Sequence, residues 1–325
     1  MELAEFLELH KGSMYCFAFG MMMTIQVNLA KLLIYSSNAS YVTLIRTVFT
    51  ALMAMPLVEW DAANTLDGTD LFLYLASAVT YVIPCGLLAL GLTYLGVGDS
   101  TAIEFGGSLI LVALISHFVL NESLSIPYLI MLLVDCVGIV LVSQPSIIFG
   151  TPDVPLEGRE IGAIFTLAGA FFFALWQIIV RILAKRSALK CWLIIYTHGL
   201  VGLVIAGGWT AVESAWQVPD TWFSGIVFVG YGVACTMQLI TGLKALTNEE
   251  AKRVALVLTL SVVLSYALQL TAFGEELDWI SISGGIIVVV CVVLSECWDC
   301  IKDKINILRE SYENPESLNV DGESD

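Results

Sequence analysis

The chain has 325 residues, of which 58% are hydrophobic and only 14% are charged, and its mean hydropathy is +0.86. A water-soluble domain carries about 25% charged residues, so lipid must solvate much of this protein's surface. The formal net charge of −16 comes without a basic face, which excludes nucleic acid as a partner and leaves the lipid bilayer.

Apolar segments of about 20 residues, the length that crosses about 30 Å of hydrocarbon, follow one another along the chain. Short polar or proline-containing stretches separate them. The pattern predicts an all-α integral membrane protein with ten transmembrane helices at 12–34, 39–58, 70–94, 98–120, 125–147, 160–184, 191–212, 221–243, 251–272 and 280–300.

The basic residues predict the orientation, because lysine and arginine collect on the cytoplasmic side of a membrane. Ten helices and a cytoplasmic N-terminus put only Lys31 and Arg159 outside and leave Arg46 within a helix. The cytoplasmic set is Lys11, Arg181, Lys185, Arg186, Lys190, Lys244, Lys252, Arg253, Lys302, Lys304 and Arg309. Residues 1–11 are thus predicted as a cytoplasmic N-terminus and 301–325 as a cytoplasmic, partly disordered tail. The membrane is the plasma membrane or an endomembrane.

The two halves of the chain resemble each other. Residues 100–124 align with 253–277, and 12–31 align with 162–181, each of the latter pair being a helix that ends in a cation. Five spans per half is an odd number, so the second copy must enter the membrane upside down. Such inverted repeats are typical of secondary transporters. We therefore predict one repeat at 12–147, a connecting loop at 148–159 and a second repeat at 160–300.

Several stretches of the first half carry a family resemblance. They are Arg46–Leu52 with Pro56, Gly98–Ile103, Asn121–Leu124, and Gly138–Pro145 with Phe149 and Gly150. With them the chain resembles the EamA-like branch of the drug/metabolite transporter superfamily, and within it solute carrier family 35, with the G subfamily as the suggested subfamily. One departure lies in the fourth helix, where the family often has a proline and this chain has Gly106-Gly107-Ser108.

The resemblance implies a ten-helix carrier that works by alternating access. Substrates across the superfamily include nucleotide sugars, amino acids, organic anions and drugs, so the resemblance does not name the solute. The function predicted is a secondary transporter or exchanger for a small, anionic organic solute. The alternative is a transporter-like protein that acts as a regulatory or scaffold partner through its cytoplasmic tail.

Ionisable residues inside a membrane helix are costly and need a reason. Arg46 lies about seven residues into the second helix, Glu104 lies at a similar depth in the fourth, and Lys31 lies near the same end of the first. One interpretation is an Arg46–Glu104 ion pair that holds helices together. The other is that Arg46 and Lys31 bind an anionic substrate while Glu104 releases Arg46 or binds a proton.

Three further titratable residues are candidates for proton coupling. Asp135 lies near the bilayer midplane, about ten residues into the fifth helix, with no cation within a turn on that helix. It is interpreted either as a proton-coupling carboxylate or as a hydrogen-bonded structural aspartate. His117 and His198 lie nearer the cytoplasmic helix ends and are interpreted as packing residues or as proton relays.

Polar residues complete the candidate site. Four glutamines could hydrogen-bond substrate or bridge helices, namely Gln26, Gln177, Gln238 and Gln269. We predict substrate binding by Gln26 and Gln177, because they lie in corresponding helices of the two halves. Asn38 begins a glycosylation sequon, Asn-Ala-Ser, on the predicted outer side. Glycines such as Gly91, Gly202 and Gly208 are expected at close helix contacts.

No motif indicates an enzyme. The chain lacks a phosphate-binding G-x-x-x-x-G-K-[ST] loop, a nucleophile elbow and an H-E-x-x-H pattern. We therefore predict no catalytic residue, no metal site and no cofactor, and a small-molecule solute as the partner. A homodimer is compatible with the sequence.

Overall fold

In the computed structural model of the chain, the described residues form helices and turns and no strand. They are 11–63, 66–122, 124–143, 158–186, 189–217, 221–273, 279–280 and 282–295. The predicted cytoplasmic tail and most of the connecting loop at 148–159 lie outside these residues.

The longer helices follow the predicted order. They are α1 (Lys11–Ile34), α2 (Ala39–Ala54), α3 (Gly68–Tyr94), α4 (Val97–Leu120), α5 (Ile126–Ser143), α6 (Arg159–Lys185), α7 (Cys191–Val212), α8 (Trp222–Asn248), α9 (Ala251–Leu258 and Leu260–Phe273, which meet at Thr259) and α10 (Ile282–Ser295). Short helical turns at Met55–Leu57 and Trp60–Ala63 lie between α2 and α3.

Among the described residues, eight helices are long and apolar enough to cross a membrane, namely α1–α4 and α6–α9. In the two remaining helices the apolar stretches are shorter, Ile126–Leu141 in α5 and Ile282–Ser295 in α10. Both were predicted as full spans, at 125–147 and 280–300, and parts of those ranges lie outside the described residues. The chain is therefore a multi-pass membrane protein, and the count of ten spans stays a prediction.

Helix boundaries depart from the predicted ones at two places. α2 ends at Ala54 rather than at residue 58, because Pro56 lacks an N–H and the chain continues as one turn of 3-10 helix. The predicted helix 251–272 is interrupted at Thr259, where the backbone N–H and the side-chain hydroxyl both donate to the Leu256 carbonyl. A threonine hydroxyl that bonds backward in this way competes with the helical hydrogen bonds.

One end of the bundle, here called the basic end, gathers ion pairs from several helices. Glu122, just after α4, pairs with Arg181 of α6 at 3.4 Å, and Arg181 donates to the Thr247 carbonyl of α8 at 3.1 Å. Arg253 of α9 pairs with Glu249, just after α8, at 2.8 Å. The ends of α4, α6 and α8 and the beginning of α9 therefore meet here.

The direction of the remaining helices follows from contacts at the two ends. Arg253 also donates to the Ser13 hydroxyl at 3.0 Å, so α1 begins at the basic end and runs antiparallel to α6. At the opposite end, the buried Ser40 hydroxyl of α2 donates to Glu213, just after α7, at 2.6 Å. The described basic residues thus cluster as the predicted topology requires, while the side that faces the cytoplasm stays a prediction.

Small residues let α2 and α7 approach closely, as their backbones must in lipid. A Cβ atom on Gly199 would lie 2.6 Å from the Ala51 backbone nitrogen, and one on Gly202 would overlap Thr47. Gly208, in the same helix, has nothing within 4 Å of the corresponding position. Close contact is confirmed at Gly202, whereas Gly208 makes no such contact.

We expect Gly199→Ala to destabilise the protein by about 1–3 kcal/mol, because the new methyl group would overlap the backbone of α2. Gly208→Ala is the matched control, since it makes the same change in the same helix without a neighbour. Thermal unfolding of the purified protein in detergent measures both. Equal melting temperatures for the two variants would contradict the close contact at Gly199.

Candidate functional site

The centre of the bundle holds a buried guanidinium. Arg46 is the eighth residue of the 16-residue α2, and only 3% of its surface is exposed. Its Nη2 donates to the Tyr81 hydroxyl of α3 at 2.5 Å and to Gln238 Oε1 of α8 at 2.7 Å. The Tyr81 hydroxyl donates in turn to the same Gln238 oxygen at 3.0 Å. Both partners are neutral, so among the described residues no negatively charged group is hydrogen-bonded to the guanidinium.

The Tyr81 ring lies against this guanidinium and is itself packed against other aromatic rings. Arg46 Cζ lies 4.8 Å from the centroid of the Tyr81 ring, a distance that allows a cation–π attraction. The Tyr81 ring packs against Trp176 of α6 at 5.4 Å and against His198 of α7 at 4.9 Å between centroids. Trp176 stacks on Phe173 at 5.5 Å. These rings hold Tyr81, and through it Arg46, in one position.

Several buried polar atoms near the middle of the helices have no hydrogen-bond partner. They are Arg46 Nε, Gln26 Oε1, Gln238 Nε2, Glu104 Oε2 and both amide atoms of Gln177. An unsatisfied buried polar group costs about 1–3 kcal/mol, so a set of them calls for a physical explanation. Among the described residues, two of these atoms, Arg46 Nε and Gln238 Nε2, belong to side chains that are hydrogen-bonded to each other, so unsatisfied donors lie beside the cation.

The structure does not form the Arg46–Glu104 ion pair. Within the described residues, no carboxylate oxygen lies within 4.0 Å of Arg46. Tyr81 and Gln238 occupy Nη2 instead. Glu104 is buried on α4, and its Oε1 faces α6, 3.8 Å from where a Cβ of Gly169 would lie. Sequence position indicated the depth of both charges but not the side of the helix on which each lies.

Lys31, predicted to bind substrate, contacts backbone. Its Nζ donates to the carbonyls of Leu92 and Leu95 at the end of α3, at 2.6 and 2.9 Å. Arg181 makes the corresponding contact in the second half, where its Nη1 donates to the Leu246 carbonyl in the last turn of α8 at 2.8 Å. A cation suits the carbonyl end of a helix, so each of these side chains has a structural role.

The proton-coupling candidates fall into different surroundings. His198 is buried, with Nδ1 bonded to the Ile194 carbonyl at 2.5 Å and Nε2 accepting from Trp176 Nε1 at 3.1 Å, which favours the packing interpretation. His117 is exposed at the end of α4, and its Nδ1 lies 3.1 Å from the Glu122 carbonyl. Asp135 is fully buried on α5, away from any ion pair among the described residues.

The predicted glycosylation site lies at the beginning of α2. Asn38 is exposed at the N-cap position, and its side chain makes no capping hydrogen bond. The sequon serine, Ser40, is buried and bonded to Glu213. Modification at Asn38 stays a prediction.

Sequence reasoning missed Tyr81 and Trp176 and did not connect Gln238 with Arg46. One signal was present for Tyr81, which lies in the middle of an apolar helix although tyrosine favours the membrane interface. Nothing in the sequence links residues 46 and 238, which are 192 positions apart.

The chain resembles known transporters at low identity. It is 24% identical over 276 residues to solute carrier family 35 member G1 of Homo sapiens, covering 82% of this chain and 72% of that protein. It is 22% identical over 249 residues to the S-adenosylmethionine uptake transporter of Rickettsia conorii, covering 76% and 79%. These relatives support a membrane transporter. They make a non-enzyme the favoured class, and they support a solute-carrier-family-35-like protein.

A comparison with solved structures also finds a protein of similar fold. One solved crystal structure superposes with a TM-score of 0.70 over 88% of this chain and 96% of its own, at 11% identity, which shows a shared fold alone. No protein-family model matches the chain. The EamA-like branch and the G subfamily therefore stay predictions.

We expect Lys31→Met to lower the stability of the protein by about 1.5–3 kcal/mol, the range for a hydrogen bond to a charged group, because the α3 carbonyls lose their donor. Lys190→Met is the matched control, since the Lys190 side chain is exposed. Thermal unfolding in lipid nanodiscs measures the difference. A Lys31→Met protein as stable as the control would contradict the capping role.

Proposed function

We propose that the protein is a secondary transporter or exchanger that moves a small, anionic organic solute by alternating access between two inverted five-helix halves. The uncompensated guanidinium of Arg46 carries this proposal. A buried charge is stable only when it is paired or fully hydrogen-bonded, and among the described residues only neutral groups are hydrogen-bonded to this one. A carboxylate or phosphate arriving at Arg46 would supply the missing negative charge.

The donor geometry supports an anion. Arg46 Nε has no partner, and a guanidinium presents its donors as a planar fork that matches the two oxygens of a carboxylate or phosphate. The amides of Gln177 and Gln238 offer further unsatisfied donors. Gln26 Oε1 offers an acceptor. The site thus fits a solute that joins an anionic group to polar groups of its own.

The helix contacts support two inverted halves. α1 packs along α8, and α6 packs along α3, which is the same pair of positions with the halves exchanged. Lys31 and Arg181 make equivalent contacts with the last turns of α3 and α8, at opposite ends of the bundle. Two such halves meeting at α2, α7, α4 and α9 suit a mechanism in which one half rocks against the other around a central site.

The tail-based scaffold alternative has no observation in its favour, because residues 301–325 lie outside the described residues. The relatives named above are transporters.

We expect the reconstituted protein to take up or exchange at least one radiolabelled solute from a panel of carboxylates, nucleotide sugars, amino acids and S-adenosylmethionine, the last because of the bacterial relative's name. Counterflow in proteoliposomes is the measurement, since it detects carriers without a driving ion. Protein-free liposomes give the background. Silence across the panel with verified folded protein would contradict the proposal.

Arg46→Gln should reduce transport of the responding solute about 10- to 100-fold, because the loss of a charge-assisted hydrogen bond costs about 1.5–3 kcal/mol. Arg46→Lys should recover only part of the loss, since it keeps the charge without the fork. Arg186→Gln is the matched control, because the half-exposed Arg186 side chain lies at the basic end, where it pairs with Asp67 and Asp70.

Two results would count against an anion site. Transport by Arg46→Gln at the wild-type rate would show that the guanidinium does not bind the solute. A neutral or cationic analogue that is transported as well as the anion would show that charge is not what Arg46 selects.

A further inference from the structure

Asp135 is a buried carboxyl group outside the site of Arg46. It lies in the middle of α5 with none of its surface exposed, and its Oδ2 has no hydrogen-bond partner. The contact recorded for Oδ1 is with the Thr259 hydroxyl of α9, at an oxygen–oxygen distance of 3.4 Å. Thr259 is also the residue at which α9 is interrupted. A lone carboxyl group thus faces the break in a neighbouring helix.

The hydroxyl of Thr259 has a single proton and two acceptors within reach. Its oxygen lies 2.6 Å from the Leu256 carbonyl and 3.4 Å from Asp135 Oδ1. The shorter distance assigns the proton to the Leu256 carbonyl, which leaves the Thr259 oxygen as an acceptor towards Asp135. A protonated Asp135 can then donate to Thr259 while Thr259 donates to Leu256, so that both hydroxyl protons are in hydrogen bonds.

Loss of the Asp135 proton reverses this arrangement. An ionised carboxylate only accepts hydrogen bonds, so the Thr259 hydroxyl must turn towards it and release the Leu256 carbonyl. That carbonyl lies at the end of the first segment of α9, and it still accepts from the Thr259 N–H, at 3.1 Å. The charge of one carboxyl group therefore decides whether the hydroxyl closes the end of the segment Ala251–Leu258.

Within the described part of the chain, few other titratable groups lie around Asp135. Two thiols, Cys136 beside it on α5 and Cys291 on α10, lie close enough to feel the charge of Asp135. On α4, Glu104 lies two residues from Gly106, which faces Ile139, one turn of α5 beyond Asp135.

The cations at the beginning of α9 already have partners, since Lys252 pairs with Glu250 and Arg253 pairs with Glu249. No cation within the described residues lies within 4.0 Å of Asp135.

We propose that Asp135 is a proton-binding site and that its protonation switches the Thr259 hydroxyl between Leu256 and Asp135, setting the shape of α9 at its break. The proton binds to and leaves Oδ1, and no other covalent bond changes. In a transporter this switch would couple proton movement to the rearrangement of α9, which packs against α1 and α4. That coupling rests on the proposed function, whereas proton binding itself does not.

A proton fits this site better than a metal ion does. Hard cations need several oxygen ligands, usually six or more for calcium and magnesium. Asp135 is joined by one hydroxyl, and no group of three His, Cys, Asp or Glu side chains that could hold a metal occurs in the described residues. Sodium binding is the alternative that the experiment must distinguish from proton binding.

Infrared difference spectroscopy of the full-length protein in liposomes, recorded over a pH series, tests the proposal without any solute. We expect a C=O stretching band of a buried protonated carboxyl that titrates with pH and is absent from Asp135→Asn. Glu104→Gln is the matched control, because it removes another buried carboxyl and should keep the Asp135 band. Thr259→Val should move the band to higher frequency, because Asp135 loses its acceptor, while Thr259→Ser should leave it in place.

Hydrogen exchange of the peptide around residues 256–262 tests the switch itself. After correction for the intrinsic pH dependence, exchange should change with pH in the wild type and stay constant in Asp135→Asn.

Three infrared results would overturn the proposal. They are a titrating band that survives Asp135→Asn, the absence of any titrating buried carboxyl in the wild type, and a band that responds to sodium at constant pH. If Asp135→Asn does not fold, the wild-type titration and the two Thr259 variants still decide. A failed solute panel would leave these spectra unchanged, so the two proposals fail separately.

Discussion

The buried charge of Arg46 is the constraint around which the centre of this bundle is arranged. A guanidinium in a membrane helix cannot be solvated by lipid, so the protein must supply its hydrogen bonds. Tyr81 of α3 and Gln238 of α8 do so, which brings three helices from both halves of the chain to one point. Tyr81 is in turn held by Trp176 and His198, so the same charge also organises α6 and α7.

The ends of the helices follow a second rule, which is that free carbonyl groups within a membrane need donors. Lys31 meets this need at the end of α3, and Arg181 meets it at the end of α8. These two cations are therefore used in structure at opposite ends, whereas Arg46 in the middle keeps an unsatisfied donor. The contrast separates two cations whose contacts hold helix ends from Arg46, the residue that we propose to bind a solute.

Several features of the fold could be predicted from the sequence because they depend on composition along one helix. The lengths of the apolar segments predicted all eight helices that, among the described residues, are long enough to cross a membrane. The position of Pro56 explains why α2 is shorter than predicted. The depth of Arg46 was evident from its place in its segment. The interruption of α9 was not, because Thr259 is an ordinary residue whose hydroxyl bonds backward only in this setting.

What the sequence determined by itself is the solvent of this protein, the order of its helices and the depth at which each charged residue lies, because these follow from the hydropathy of consecutive residues. The tertiary structure alone decided which way each charge faces. Rotation of a helix about its axis depends on packing with helices that are distant in the chain. That rotation took Arg46 to Tyr81 and Gln238 rather than to Glu104, and it placed Asp135 against Thr259.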